Sequence, residues 1–318
     1  MDQGDRFFAD IRTAEEFEGV RRDEARLGPG VRAVLGRHGL QGQTAVRFTE
    51  GSLPVYAVGP DLVLKLYPPL YASERDREAL VLSIVEARLP IPTPGVHAAG
   101  DLDGWAYLLM TRLHGEPLAA VWPSLGSQDR ARLARQLGEA LAVMHALRDP
   151  RSAPLRNDWR AFLDAQRAAC VERQRMLGLD PLWLDQIPAF LDRVELGEAP
   201  PHALLHTEIM REHLLASRRE DGWRLSGLFD FEPAMVGAPE YEFASVGVFF
   251  SCGEGPLLRE ALRSYGYAEK DLAANLAERC LAYGLLHRYS NIPWFLRRVP
   301  PPAGTVTLSG LARTWWGC

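Results

Sequence analysis

The feature that most constrains this chain is a change of periodicity near Gly115. Before it, Ala45–Thr49, Val55–Gly59 and Leu62–Tyr67 are short runs rich in Val, Leu, Phe and Tyr, parted by Glu50-Gly51-Ser52 and Gly59-Pro60-Asp61. Runs of this length between turn formers are strands. A helix is predicted from Ser73 to about Arg88, stopped by Pro90-Ile91-Pro92-Thr93-Pro94. Strands over Val96–Ala99 and Trp105–Thr111 follow, joined by a turn at Asp101–Gly104. After Gly115, Leu133, Leu137, Leu141, Met144 and Leu147 recur at helical spacing behind a candidate N-cap, Ser127. Further helices are predicted at 157–176, 181–194, 256–265 and 270–290, with a hairpin of His213–Ala216 and Arg224–Asp230 around Asp221-Gly222. Residues 13–40 read as an N-terminal helical segment, and 299–302 with Trp315-Trp316 as a packed tail. Sheet first and helices second make an α+β chain of two lobes. The first is an antiparallel-sheet lobe over 1–112, with its helical N-terminal segment; the second is a mainly helical lobe over 113–318. A length of 318 residues fits two compact units.

Composition narrows the partners. Lys and Arg number 36 against 41 Asp and Glu, a net charge of -5, whereas binding to a phosphate backbone wants a basic surface. Nucleic acid is therefore not the expected partner. The opening Met1-Asp2-Gln3-Gly4-Asp5-Arg6 has no apolar core, so no signal peptide is expected, and the longest apolar stretch, Phe243 to Cys252, is short of a membrane span. Cys170, Cys252, Cys280 and Cys318 are scattered without a CxxC pair, which reads as free thiols in a reduced, cytoplasmic protein. Gly28-Pro29-Gly30-Val31-Arg32-Ala33 matches a dinucleotide fingerprint on paper, but no strand precedes it and Pro29 sits within it. No GxxxxGK[ST], HExxH or GxSxG motif occurs, which sets aside P-loop kinases, zincins and common serine hydrolases.

The chemistry concentrates in two stretches. Leu204-Leu205-His206-Thr207-Glu208 sets a carboxylate just after an apolar strand, and His213 stands five residues later as a potential ligand. Leu225-Ser226-Gly227-Leu228-Phe229-Asp230-Phe231-Glu232 ends a second strand on an acid. Phosphoryl transfer needs an acceptor for the hydroxyl proton and carboxylates for the metal that bridges the phosphates. Glu208 is the candidate base. Asp230 is the candidate ligand for Mg²⁺, a hard cation that takes oxygen. Glu232, next to that acid, could substitute as a ligand but is expected to face outward. In Asp61-Leu62-Val63-Leu64-Lys65-Leu66-Tyr67, a lone Lys65 amid apolar neighbours must reach water, a carboxylate or a phosphate, and Glu78 on the next helix supplies an ion-pair partner. At Glu50-Gly51-Ser52, backbone N–H groups around Ser52 could cover phosphates.

These residues resemble the aminoglycoside phosphotransferase family, in the broad group that includes choline and fructosamine kinases. The likeness runs in order from about Phe48 to Ala244. It takes in the Lys65 strand, the Glu78 helix, Arg88-Leu89-Pro90-Ile91-Pro92, Tyr107-Leu108-Leu109-Met110, the His206 and Asp230 motifs and Gly237-Ala238-Pro239-Glu240-Tyr241-Glu242-Phe243-Ala244. Within the family the chain looks most like hygromycin B 7''-O-kinase-like proteins. The resemblance implies a two-lobed, protein-kinase-like fold and a donor nucleotide, ATP or GTP. It further implies adenine bonding by the backbone of Thr111 and Leu113, with Met110 behind the ring, and a hydroxyl acceptor of aminoglycoside type, so that the gene would confer antibiotic resistance. The expected assembly is a monomer or weak dimer.

Two positions depart from the family. Glu208 stands where an Asp is usual, and its extra methylene moves the carboxylate by about an ångström, a displacement that can cost roughly 10²-fold. His213 stands where an Asn is usual, and imidazole is a poor Mg²⁺ ligand, so a hydrogen-bonding structural histidine is the competing reading. Glu242 is expected to brace the catalytic loop, and His145 and His287 to be core or cap residues. The rival functions are a kinase of a metabolite such as choline, homoserine or a sugar, and a nucleotide-binding pseudokinase. The acceptor walls fall in the variable helices between about 123 and 200.

Overall fold

The computed structural model describes residues 6–196, 203–272 and 274–317; residues 1–5, the last few of the 123–200 stretch, Ala273 and Cys318 lie outside them. The chain forms two compact units: Met1–Glu86 with Thr93–His114 and Asp230–Pro233, and Ala87–Pro92 with Gly115–Phe229 and Ala234–Cys318.

In the first unit the helical N-terminal segment is two helices, α1 (Ala14–Glu18) and α2 (Glu24–Arg37). Each is capped by its own polar residue. Thr13 and Glu16 close a reciprocal capping box, and the Asp23 side chain accepts from the N–H groups of Ala25 and Arg26. The apparent dinucleotide motif lies inside α2, where Gly30 serves packing: a Cβ there would come within 2.2 Å of the Phe8 ring. Strands β1 (Ala45–Arg47), β2 (Val55–Val58), β3 (Leu62–Tyr67), β4 (Val96–Leu102) and β5 (Trp105–Thr111) form an antiparallel sheet in the order β1-β2-β3-β5-β4. Helix α3 (Ala72–Val85) buries Val81, Leu82, Ile84 and Val85, and β3 and β5 are buried along most of their length. β3 is thus the inner strand, which is what puts Lys65 out of water's reach.

The second unit runs β6 (Glu116–Pro117), α4 (Leu118–Val121), α5 (Ser127–Ala146), α6 (Trp159–Met176), α7 (Pro181–Leu184) and α8 (Ile187–Arg193). Then come β7 (Ala203–Leu205), β8 (Leu214–Arg219), β9 (Gly222–Leu228), β10 (Met235–Gly237) and α9 (Pro239–Ser245), which continues through a π-helical turn over Val246–Phe250. α10 (Gly255–Tyr265), α11 (Ala274–Leu286), α12 (Ile292–Arg298) and α13 (Leu308–Trp316) complete it. Ser127 proves to be the first helical residue, and Gly126 takes the cap position without a side-chain bond. The predicted 181–194 helix is broken at Asp185-Gln186 into α7 and α8. β7, the apolar strand read at Leu204-Leu205, pairs antiparallel with β10, Leu205 opposite Met235, and the sequence reading had no place for β10. The tail packs as expected: Trp315 and Trp316 are buried, and their indole N–H groups donate to the carbonyls of Val299 and Phe243 at 2.8 and 2.7 Å. The second of these bonds ties the tail to α9. Among the described residues, no helix is long and apolar enough to cross a membrane.

Candidate active site

Two clusters carry the chemistry. The first is built on β3 and α3. Lys65, 5% exposed, stands opposite Val55 and Leu108 in the sheet, and its Nζ is 2.9 Å from Glu78 Oε2, 2.6 Å from Asp230 Oδ1 and 2.6 Å from Glu232 Oε2. Glu78 is fixed in turn: the Tyr67 hydroxyl donates to its Oε2, and the Phe231 N–H to its Oε1 at 3.2 Å. Burial works against the Lys65 charge, but Asp230 and Glu78 outweigh it and hold the ammonium well above its ordinary pKa.

Glu232 corrects the sequence reading, which turned it outward. Its side chain is only 18% exposed and belongs to the cluster. The cause is the backbone beyond β9, which ends at Leu228: Asp230 has a φ of 71°, in the left-handed region, so strand alternation does not carry on to Glu232. Phe231 then enters the core, and the Glu232 side chain comes back to Lys65. Burial pushes the Glu232 carboxyl up to about 8, with Asp230 and Glu78 adding to the effect against the pull of Lys65. Its Oε2 is at ion-pair distance from Nζ yet outside hydrogen-bonding geometry, a buried acceptor without a donor. Glu78, Asp230 and Glu232 offer oxygens within 4.8 Å of one another. An all-carboxylate set with an unsatisfied oxygen and more negative than positive charge fits a hard divalent cation such as Mg²⁺.

The second cluster is the loop after β7. Glu242 on α9, fully buried, accepts the N–H groups of His206 and Thr207 at 2.7 and 2.8 Å. It is the brace that the sequence suggested. Ser245 Oγ takes the Ile209 N–H at 3.0 Å and donates back to the Glu242 carbonyl at 2.8 Å. These bonds hold Thr207 at a φ of 76°, an unfavourable conformation for a β-branched residue. His206 Nδ1 accepts the Glu208 N–H at 3.3 Å, so Nε2 carries the proton and donates to the Phe229 carbonyl at 2.9 Å. His213 donates through Nδ1 to the Glu208 carbonyl at 2.7 Å. That bond is the one expected of a structural histidine, and His213 is not in the carboxylate group above.

Behind the loop, His145 lies 3.5 Å from Glu242 Oε2 through Nε2 and 2.9 Å from the Tyr265 hydroxyl through Nδ1. His287 stacks on Tyr241 at 4.7 Å, and burial together with the Arg288 charge pushes its imidazole down to about 3, so it is neutral. Both are core residues, as the sequence had them. Glu208 itself is half-buried and lines a cavity of about 80 Å³ within the second unit.

The remaining candidates sit in the first unit. Ser52 is exposed after Gly51, whose φ of 100° suits glycine in a tight turn. Met110 is buried on β5 opposite Val63. The Thr111 N–H donates to the Gly95 carbonyl at 2.8 Å and its Oγ1 accepts the Gly95 N–H at 2.7 Å, so its N–H is already committed within the sheet. Leu113 is half-buried just beyond.

Comparison with known proteins bears on the fold and the family. The chain matches solved structures throughout most of its length: the GDP complex of aminoglycoside 2'-phosphotransferase-IIIa (18% identity, 87% of this chain and 97% of that one, TM-score 0.70). It also matches macrolide 2'-phosphotransferase MphH from Brachybacterium faecium (19%, 86% and 98%, TM-score 0.60). A third is an aminoglycoside-3'-phosphotransferase of type VIII (22%, 80% and 96%, TM-score 0.58). At such identities the likeness is one of fold. No curated protein matches the chain. Residues 44–277, which hold both clusters, match the family model described as the phosphotransferase enzyme family, APH, and the chain belongs to that family.

Proposed function

We propose that the chain moves the γ-phosphoryl group of ATP or GTP to a hydroxyl of a small, antibiotic-type acceptor. The observation that carries this reading is a buried Lys65 clamped by Glu78 and Asp230, together with a carboxylate, Glu208, on a rigidly braced loop. Lys65 is the phosphate-binding lysine and Glu78 orients it; the Ser52 turn covers the phosphates, and the backbone at Thr111 and Leu113 takes the base. Asp230 and Glu232 would hold Mg²⁺, which supplies positive charge at the phosphates when bound. His213 is a positioning residue that fixes the Glu208 backbone.

Glu208 accepts the proton of the acceptor hydroxyl as its oxygen bonds to the γ-phosphorus. The bond from that phosphorus to the β-phosphate oxygen breaks, and the nucleoside diphosphate leaves with the electron pair. Solved relatives are described with kanamycin, gentamicin and streptomycin, and one is a macrolide phosphotransferase; aminoglycoside resistance, including the hygromycin B type, is the reading carried over from the sequence. The setting is cytoplasmic, without nucleic acid or membrane, as a monomer or weak dimer, in keeping with a net charge of -5.

The test is diphosphate release from ATP and GTP with Mg²⁺ against a panel of hydroxyl acceptors, beside the antibiotic susceptibility of cells expressing the gene. Acceptor-dependent turnover supports the reading. Nucleotide binding without transfer to any acceptor would leave a pseudokinase, and failure to bind either nucleotide would end it.

A further inference from the structure

If Glu208 takes the acceptor's proton, as proposed above, the groups that share its cavity meet the acceptor. We infer that His287 is a specificity-determining residue there, whose Nε2–H donates to a hydroxyl, ether or carbonyl oxygen of the bound acceptor. His287 is 6% exposed, follows directly on α11, and lines the same cavity as Thr207 and Glu208. Its ring is held from two sides. One face stacks on Tyr241, with 4.7 Å between centroids, and Nδ1 accepts the Tyr289 N–H at 3.2 Å. Because Nδ1 accepts, the proton of the neutral ring is on Nε2. The Thr207 backbone gives the direction of that N–H. It lies close enough to favour a proton on the ring, and with Nδ1 taken by Tyr289 the nitrogen on the Thr207 side is Nε2. Yet Nε2 is buried and meets no acceptor in hydrogen-bonding geometry.

A buried donor without an acceptor is costly, and a fold that leaves one beside a cavity leaves it for whatever enters. Two neighbours show the contrast. Ser245, on the same wall, accepts the Ile209 N–H and donates to the Glu242 carbonyl, so its capacity is used within the protein. His145, likewise buried behind the loop, has a partner at each nitrogen, Tyr265 and Glu242. His287 is completed at Nδ1 and not at Nε2. The space beside it, about 80 Å³, exceeds what a single water fills; one water takes roughly 10–15 Å³ on this measure and wants two to four polar partners. Ala244, Phe249, Gly284 and Phe295 supply no polar side chain for such a network. An oxygen carried in on a ring framework meets the donor and fills the space in one step. Such a donor selects by hydrogen bonding: a methylene at the same point would leave the N–H buried and unmet.

The experiment is calorimetric binding to the full chain with Mg²⁺ and a non-hydrolysable ATP analogue, with hygromycin B, kanamycin and erythromycin as probes. Wild type is compared with His287→Phe, which keeps a stacking ring without the donor, and His287→Gln, which keeps an N–H near the place of Nε2 without the ring. For the probe that binds tightest, His287→Phe should weaken affinity by about tenfold, the scale of one hydrogen bond, and His287→Gln by less than about threefold. Nucleotide affinity should be unchanged in both. A packing role predicts the reverse order, because Phe preserves the stack on Tyr241 and Gln does not. A second readout needs no variant: in wild-type protein with ¹⁵N-labelled histidine, the Nε2–H proton resonance of His287 should move downfield when that probe is added. The reverse order, equal losses, no loss in His287→Phe, binding of none of the three probes, or an unmoved resonance overturns the inference. Binding as expected without phosphate transfer would instead overturn the phosphotransferase reading and leave the His287 contact as described.

Discussion

The two clusters are held in place by opposite means. Around Lys65 the fold is fixed by charge: one ammonium and three carboxylates, of which Glu78 is wholly buried and the others partly so. Around Glu208 it is fixed by hydrogen bonds to the backbone, with Glu242 stapling two successive N–H groups and the neutral His287 imidazole filling in behind. The difference lies in what each can tolerate. A charge cluster survives movement of its backbone but not loss of a partner, because the remaining ions are left desolvated. A stapled loop survives a change of side chain at its tip, because the brace holds the main chain. The two departures that the sequence resemblance implies, at 208 and 213, both fall in the second cluster.

Variants can break or sharpen this contrast. The largest effect is expected from Asp230→Asn, which removes charge from the proposed cation-binding group; turnover with Mg²⁺ should fall by about 10³-fold or more. Near-native turnover would place the metal elsewhere. Next comes Glu208→Gln, for which a loss of about 10²–10⁴-fold in rate with nearly unchanged nucleotide affinity is expected of a general base. Glu208→Asp sharpens the same point. With the loop stapled by Glu242, the shorter side chain stops short of the hydroxyl and the reaction slows; a gain in rate would mark Glu208 as a decayed base.

Lys65→Ala is expected to abolish productive nucleotide binding and also to lower stability by about 3 kcal/mol, since it leaves buried carboxylates uncompensated. Denaturant unfolding should show a smaller loss at pH 5 than at pH 8, because the orphaned carboxylates can take up protons. An unchanged midpoint at both would mean that the cluster does not hold the fold.

The smallest effect concerns His287. Its folded pKa of about 3 lies below the ordinary value of 6.5, so its contribution is present above pH 6.5 and is lost as pH falls toward 3. The loss is at most about 1.4 kcal/mol per pH unit. Thermal unfolding between pH 7 and pH 4 should be steeper for wild type than for His287→Gln; parallel curves would show that the imidazole is not buried neutral.

Much of this was legible in the sequence. β3 and β5 fall at Leu62–Tyr67 and Trp105–Thr111 as predicted, because long apolar runs between turn formers have few other solutions. The Lys65–Glu78 pair was legible for the same reason: a charge on an inner strand has few places to go. β10 was not, since its three residues carry too little pattern. Glu232 was missed because its direction depends on the left-handed backbone of Asp230, which strand alternation cannot express. The aromatic residues that line the Glu208 cavity were missed for a related reason. Phe249, Tyr289 and Trp294 stand on separate elements, and no spacing in the chain shows that they share a cavity with Glu208.

Thr207 has a consequence for how this site could change. It holds a β-branched side chain in a left-handed backbone while forming part of the cavity wall. Most substitutions that enlarge a pocket cost stability by leaving a void, but Thr207→Gly would remove wall atoms and relax about 1–2 kcal/mol of backbone strain together. Position 207 is therefore a point where this cavity can widen without a compensating change elsewhere. Selection for a bulkier acceptor would be expected to meet it before any of the aromatic residues around it.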